Sequence, residues 1–151
     1  MNKKISSEEC RELIESKKTL PDNLTVEGSL NLEYCTSLKT LPDNLTIKGN
    51  LYLVGCTSLK TLPNNLTVKG YLELAGCSSL KTLPNNLTVK GILFLWMCPS
   101  IKSFYQPICE TMYVSEKQIN SIPFKELPLY LNTPLNTNAK EIYMKRLKAE
   151  S

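Results

Sequence analysis

The groups best able to do covalent or metal chemistry are the cysteines. Cys35, Cys56, Cys77 and Cys98 follow one another at intervals of 21 residues, with Cys10 and Cys109 outside the series. A thiol becomes a nucleophile only as a thiolate, beside a base or a positive charge, and zinc needs four ligands around one point. The chain has no histidine and no Cys-x-x-Cys pair. Ser–His pairs, Cys–His pairs and histidine-bearing metal sites are therefore excluded. Equal spacing in a stacked repeat sets sulfurs in a line rather than around a point. The column reads as a small buried residue serving a turn, with redox or metal chemistry as the other reading. Glu33 and Glu73 stand two repeats apart, about 10 Å at strand spacing, and no nucleophile–base set accompanies them. No catalytic residue, metal ligand or cofactor is assigned, and a non-enzymatic protein is expected.

Other polar residues recur with the same interval. Asn-Leu-Thr begins at Asn23, Asn44, Asn65 and Asn86, formally four glycosylation acceptors. Their recurrence with the repeat favours an asparagine ladder bonding the turn backbone. Lysines form one column at Lys48, Lys69 and Lys90, headed by Glu27, and another at Lys39, Lys60, Lys81 and Lys102. Such ladders could track phosphates. Solvated lysines that keep strand edges from aggregating are the commoner explanation. A threonine column, Thr25, Thr46, Thr67 and Thr88, lacks the flat paired-threonine face that ice binding needs, because lysine usually stands two residues on.

All these columns are carried by one repeated unit. TLPDNLTVEGSLNLEYCTSLK (19–39), TLPDNLTIKGNLYLVGCTSLK (40–60), TLPNNLTVKGYLELAGCSSLK (61–81) and TLPNNLTVKGILFLWMCPSIK (82–102) succeed one another without insertion or deletion. A degenerate fifth copy is read over 103–123, with Met112, Val114, Ile119 and Ile122-Pro123 in matching places. Apolar residues alternate through Leu45, Ile47, Leu51 and Leu53, which is a strand pattern. Gly49 between them bends the chain or admits a close neighbour. Leu41-Pro42 opens a tight extended turn. No segment at helical spacing remains inside the unit, so each unit is one coil of a β-rich solenoid whose leucines are buried only by stacking. The expected organisation is one domain over 1–151: an N-terminal helical cap (1–18), four repeats (19–102), the degenerate fifth (103–123) and a C-terminal cap with a helix (124–151). Ser6 and Glu9 form a capping box, with Ile5 facing Cys10 as a staple and a helix over about 7–17 turning Cys10, Leu13 and Ile14 inward. A second helix is expected from Asn138, with Ala139, Ile142, Tyr143 and Leu147 as its apolar stripe.

The motifs Leu51-x-Leu53-x-x-Cys56-x-x-Leu59 and Leu41-Pro-x-x-Leu45 resemble those of leucine-rich repeat proteins, in particular the short bacterial and bacteriophage type, over about two-thirds of the chain. The segment Val68-Lys69-Gly70 adds strand before Leu72-x-Leu74. The resemblance implies a leucine-rich-repeat solenoid of about five coils, closed by short N- and C-terminal helices, with a ligand-binding strand face. By analogy, stand-alone modules of this kind act as effectors, inhibitors or adaptors. The related secreted ubiquitin ligases carry a large extra catalytic domain, for which this chain has no length.

Comparing the copies shows where function would reside. Framework positions scarcely change, whereas the outward strand residues do: Ser29, Asn31, Glu33; Asn50, Tyr52, Val54; Tyr71, Glu73, Ala75; Ile92, Phe94, Trp96. Met97 stands where earlier copies have Tyr34, Gly55 and Gly76. Period-two alternation places the outward set on one surface, grading from polar to apolar. Tyr52, Tyr71, Ile92, Phe94 and Trp96, with Tyr113 from the degenerate copy, would make one contiguous aromatic patch, and Trp and Tyr are typical interface anchors. Asn50, Tyr52, Val54, Tyr71, Glu73, Ile92, Phe94, Trp96 and Met97 are the expected partner-binding residues, and the partner is a protein. A C-terminal segment with Tyr130, Leu131 and Tyr143 folding over the Phe94–Trp96 end is the competing reading. A nucleic-acid binder using the lysine columns and a self-assembling structural subunit remain alternatives. The chain holds 151 residues with a formal charge of +4 and 42% hydrophobic residues, globular in composition and well short of the basic excess of a dedicated nucleic-acid binder. The charged start MNKKISSEECRELIESKK lacks a signal-peptide core, and no apolar run approaches the ~20 residues of a membrane span. A monomer or weak homo-oligomer in the cytoplasm of the producing or infected cell, with its six cysteines as thiols, is the expectation.

Overall fold

Alternating leucines with no helix to cover them can be buried only against the coils before and after. The computed structural model shows that stacking. It describes residues 3–16, 18–101, 109, 111–115, 118, 120 and 137–150. The chain folds as a β-solenoid of about five turns with two parallel sheets and a short helix at each end. The strands are β1 (Lys3–Ser6), β2 (Leu24–Glu27), β3 (Leu30–Asn31), β4 (Thr46–Ile47), β5 (Leu51–Tyr52), β6 (Thr67–Val68), β7 (Leu72–Glu73), β8 (Thr88–Val89), β9 (Ile92–Phe94) and β10 (Thr111–Tyr113). The first sheet has the order β1-β2-β4-β6-β8 and the second β10-β9-β7-β5-β3. The strand segment added by Thr67-Val68 is thus the rung of a whole additional sheet.

Register follows the repeat. Thr25 pairs with Thr46, Thr46 with Thr67 and Thr67 with Thr88 in the first sheet. Leu30, Leu51, Leu72 and Leu93 align in the second. Their inward side chains fill the space between the sheets, and Leu24, Val26, Leu30, Leu32, Leu51, Leu53, Leu72 and Leu74 have no solvent exposure. Each leucine so buried contributes about 2 kcal/mol from apolar area alone. The glycine question resolves in favour of close approach. A Cβ on Gly49 would sit 2.4 Å from Ser29 Oγ and 2.7 Å from the Ser29 nitrogen.

The third side of the coil, where Thr-Leu-Pro recurs, is held less tightly. Proline offers no N–H for a ladder. Coil-to-coil contacts here are an isolated Thr61–Thr82 bridge and longer bonds from Lys60 and Lys81 nitrogens to the Lys39 and Lys60 carbonyls, 3.4 and 3.3 Å.

Both ends depart from the repeat. Ahead of helix α1 (Ser7–Glu15), β1 pairs with β2 in the interval of the repeat, Ile5 lying against Val26. A part-coil therefore precedes the first full unit, and Ile5 is a buried strand residue in the same core cluster as Cys10. Ser6 caps α1 by accepting from the Glu9 nitrogen at 3.1 Å. Cys10 is fully buried, and Leu13 and Ile14 pack against the core as expected. The helix closes the edge of the second sheet: Arg11 Nη1 donates to the Asn31 carbonyl at 3.2 Å, and Ser7 Oγ donates to the Ser29 carbonyl. At the other end β10 matches Met112 to Leu93, an offset of 19 instead of 21. Gln118 is buried there, its Nε2 donating to the Cys98 carbonyl at 3.2 Å. Helix α2 (Thr137–Glu150) starts before Asn138 and packs Ile142 and Leu147 against the core. Lys102, Ser103, Ile119, Ile122, Pro123, Tyr130 and Leu131 lie outside the described residues, as do the side chains of Ala139 and Tyr143. No described helix is long and apolar enough to cross a membrane.

Candidate partner-binding face

Because strand side chains alternate, fixing the leucines inward fixes the variable residues outward. The outer face of the second sheet carries them in columns: Ser29, Asn50, Tyr71, Ile92; then Asn31, Tyr52, Glu73, Phe94, Tyr113; then Glu33, Val54, Ala75, Trp96. The rings form one cluster. Phe94 stacks on Tyr113 with centroids 5.2 Å apart and planes at 17°. Tyr71 meets Phe94 edge-on at 6.4 Å, and Trp96 lies 6.3 Å from Tyr113. Trp96 remains 51% exposed, Tyr71 46% and Met97 77%. Tyr52, Val54, Glu73, Ile92 and Phe94 are half-buried among these neighbours.

Asn50 has a structural part in this face. Ser29 Oγ accepts the Asn50 N–H at 2.9 Å, and Asn50 Oδ1 accepts the Tyr71 N–H at 2.9 Å. Asn50 Nδ2 also donates to the Tyr52 hydroxyl oxygen at 2.8 Å. Its backbone N–H and side-chain amide together link three coils and leave little hydrogen-bonding capacity for a partner.

Two exposed side chains sit on strained backbone. The turn after each strand needs a left-handed residue, supplied by Gly55 (φ 68°) and Gly76 (φ 75°) in the inner coils. In the outer coils the same position holds Tyr34 (φ 58°) and Met97 (φ 56°). A bulky residue there costs about 1–2 kcal/mol, and both side chains point to solvent. Tyr34 lies down over Gly55, where an added Cβ would come within 2.6 Å of its ring. Sequence reading had Met97 among the site residues and left out Tyr34. Its signal was available: a tyrosine where two copies have glycine. Tyr113, expected in the aromatic patch, joins it through Phe94 and Trp96.

The cysteine column is framework. The thiols of Cys56, Cys77 and Cys98 donate to the Leu32, Leu53 and Leu74 carbonyls of the preceding coils at 3.1, 3.1 and 2.9 Å. Burial pushes these thiols up to about 11, about 12 and about 11. Burial likewise raises Cys10, helped by Glu9, and Cys109, each to about 11. Such groups stay protonated at neutral pH and are poor nucleophiles. Among the described residues no three His, Cys, Asp or Glu side chains gather where a metal ion could be held.

The asparagine column forms its ladder by direct side-chain bonds. Asn44 Nδ2 donates to Asn23 Oδ1 at 2.9 Å, Asn65 Nδ2 to Asn44 Oδ1 at 2.7 Å, and Asn86 Nδ2 to Asn65 Oδ1. A second ladder beside it joins the corner backbone: Asp22 accepts from the Asp43 nitrogen and Asp43 from the Asn64 nitrogen. Lys48, Lys69 and Lys90 are exposed on the outer face of the first sheet. An open groove of about 740 Å³, lined by Ile14, Leu20, Leu38, Lys39, Leu41 and Asp43 among others, runs along the Thr-Leu-Pro side. It contains no converging reactive groups.

Fold and site define a class, a capped β-solenoid with one nearly constant and one variable sheet face. Comparison of the chain with protein-family models, with curated proteins and with solved structures yields no match.

Proposed function

We propose that this chain is a non-enzymatic recognition module that binds a protein partner through the variable outer face of the second sheet. The observation that supports the reading is the concentration of variation on that face, where it produces a half-exposed aromatic cluster. Exposed apolar surface of this kind marks interaction sites, and rigid aromatic side chains lose little entropy on binding. Trp96, Phe94, Tyr71 and Tyr52 are the anchors, Val54, Ile92 and Met97 the apolar surround, and Glu33 and Glu73 the polar rim, with Asn50 holding the face in register. The Leu-x-Leu-x-x-Cys spacing favours a leucine-rich-repeat module of bacterial or bacteriophage type, serving as an effector, inhibitor or adaptor in the cytoplasm, without cofactor.

The test is affinity capture from the native cell with the wild-type chain and with Trp96→Ala combined with Tyr71→Ala. The double variant should lose partner affinity by about a hundredfold or more while its circular dichroism stays that of the wild type. Undiminished binding by the folded double variant overturns the reading.

The exposed column of Lys48, Lys69 and Lys90, one coil apart, favours a second reading as a nucleic-acid binder. In that case affinity for a duplex would fall steeply between low and moderate salt, and the aromatic double variant would leave it unchanged.

A further inference from the structure

The chain carries a net charge of +4, yet the described outer face of the second sheet has two charged side chains, both carboxylates: Glu33 and Glu73. Glu33 lies in the field of Arg11 and is bonded to Asn31 through its own nitrogen, at 2.9 Å. The Glu73 side chain has no hydrogen bond or ion pair among the described residues, although the residue is half-buried. Its neighbours in register are two rings, Tyr52 in the coil before and Phe94 in the coil after. Along its own coil the next outward positions are the shortest on the face, Ala75 and Gly76. The Gly76 nitrogen bonds the Trp96 carbonyl, which sets Trp96 alongside this short stretch. A partly desolvated carboxylate without a counter-charge is unfavourable. Aromatic rings attract a cation to their faces, and one ring lies in register on either side of Glu73.

We propose that Glu73, Tyr52, Phe94 and Trp96 form a receptor for one cationic side chain, arginine or lysine, presented by the partner protein within an apolar segment. The aliphatic stem lies over Ala75 and Gly76, and the charged end meets the Glu73 carboxylate between the two rings. A charge-assisted bond there is stronger than one between neutral groups. A second copy of this chain would offer Lys48, Lys69 and Lys90, a ladder of three cations at coil spacing. A lone carboxylate matches a single cation, so a foreign chain fits better. The assignment rests on the reading of this face as the partner site, and the experiment separates the two.

Random peptides without tryptophan are selected by display on the whole protein, and the best is synthesised. Its binding is followed by the fluorescence anisotropy of a dye attached to the peptide, a signal that Trp96→Ala leaves available although Trp96 is the chain's single tryptophan. The selected peptides should carry arginine or lysine between apolar residues. Replacing that residue with neutral citrulline or norleucine should weaken binding roughly tenfold. Glu73→Gln should do the same, and the two changes together should cost no more than either alone. If Glu73→Gln leaves affinity within about twofold while Trp96→Ala abolishes binding, the cation receptor fails and the aromatic face stands. If no selected peptide responds to Trp96→Ala with Tyr71→Ala, the face itself fails. Concentration-dependent dimers dispersed by Glu73→Gln would seat a second copy there and overturn the assignment to a foreign chain.

Discussion

The two sheets are built from one 21-residue unit, and their outer faces diverge. On the first sheet every full coil repeats the same pattern, asparagine, threonine and a charged residue, as in Asn44, Thr46 and Lys48 or Asn65, Thr67 and Lys69. The asparagines bond from coil to coil, so each copy must match the next. On the second sheet a side-chain ladder runs only through Ser29 and Asn50, and it stops where Tyr71 and Ile92 take over that column. Backbone bonds alone then hold the rungs, as from Leu74 N to the Phe94 carbonyl at 2.9 Å. A side chain that bonds its own copy one coil away is constrained to repeat. A side chain freed of that duty can differ. The first sheet serves cohesion and the second is left for recognition, and Tyr34 and Met97 on left-handed backbone extend that division by giving up stability at the edge of the variable face.

The division can be broken most severely with pH. The corner after the second sheet is closed by thiols, whereas the corner entering the first is closed by amides. Cys56, Cys77, Cys98 and Cys10 have folded-state values of about 11 to 12 against an ordinary 9.0. Below pH 9 both states are protonated and the thiols leave stability unchanged. Above it the unfolded chain releases protons that the folded chain keeps, so stability falls from pH 9 toward 11 by about 1.4 kcal/mol per pH unit for each thiol. Urea midpoints measured across that range should show the decline, and Cys77→Ser, which keeps a hydroxyl donor, should flatten it by one thiol's share.

Asn65→Ala attacks the other corner. It removes bonds to Asn44 and from Asn86 and forces alanine onto φ 55°, for a loss of about 2–3 kcal/mol by chemical denaturation. Partner affinity should be unchanged, because the altered corner borders the opposite sheet. Met97→Gly makes the smallest change and sharpens the comparison from the recognition side. It should raise stability by about 1 kcal/mol through relief of the left-handed strain while weakening partner binding. A variant that became more stable and bound as well as before would show that Met97 takes no part in recognition.

Much of this was legible before any coordinates. The uniform interval fixed the columns, and alternation within Leu51-x-Leu53 fixed which side chains turn outward, because a strand has no other way to place them. The cap at Ser6 and the inward Cys10 followed from local capping chemistry. The leading part-coil was overlooked although Ile5 precedes Val26 by one full period; the capping motif directly after it suggested helix alone. The fifth coil resisted for a different cause. Two missing residues shifted Met112 against Leu93, and a sequence read at fixed period cannot anticipate where a strand will recover its register.

By itself, then, the sequence determined the coil, its stacking and the identity of the variable positions, since each depends on the chain's own spacing. Tertiary structure decided that the added segment becomes a second parallel sheet, and that the asparagines bond one another across coils. It also decided that Asn50 is committed to a ladder while Glu73 stands between two rings without a counter-charge among the described residues. Those features arise between residues a full coil apart, where partners are set by which rungs meet.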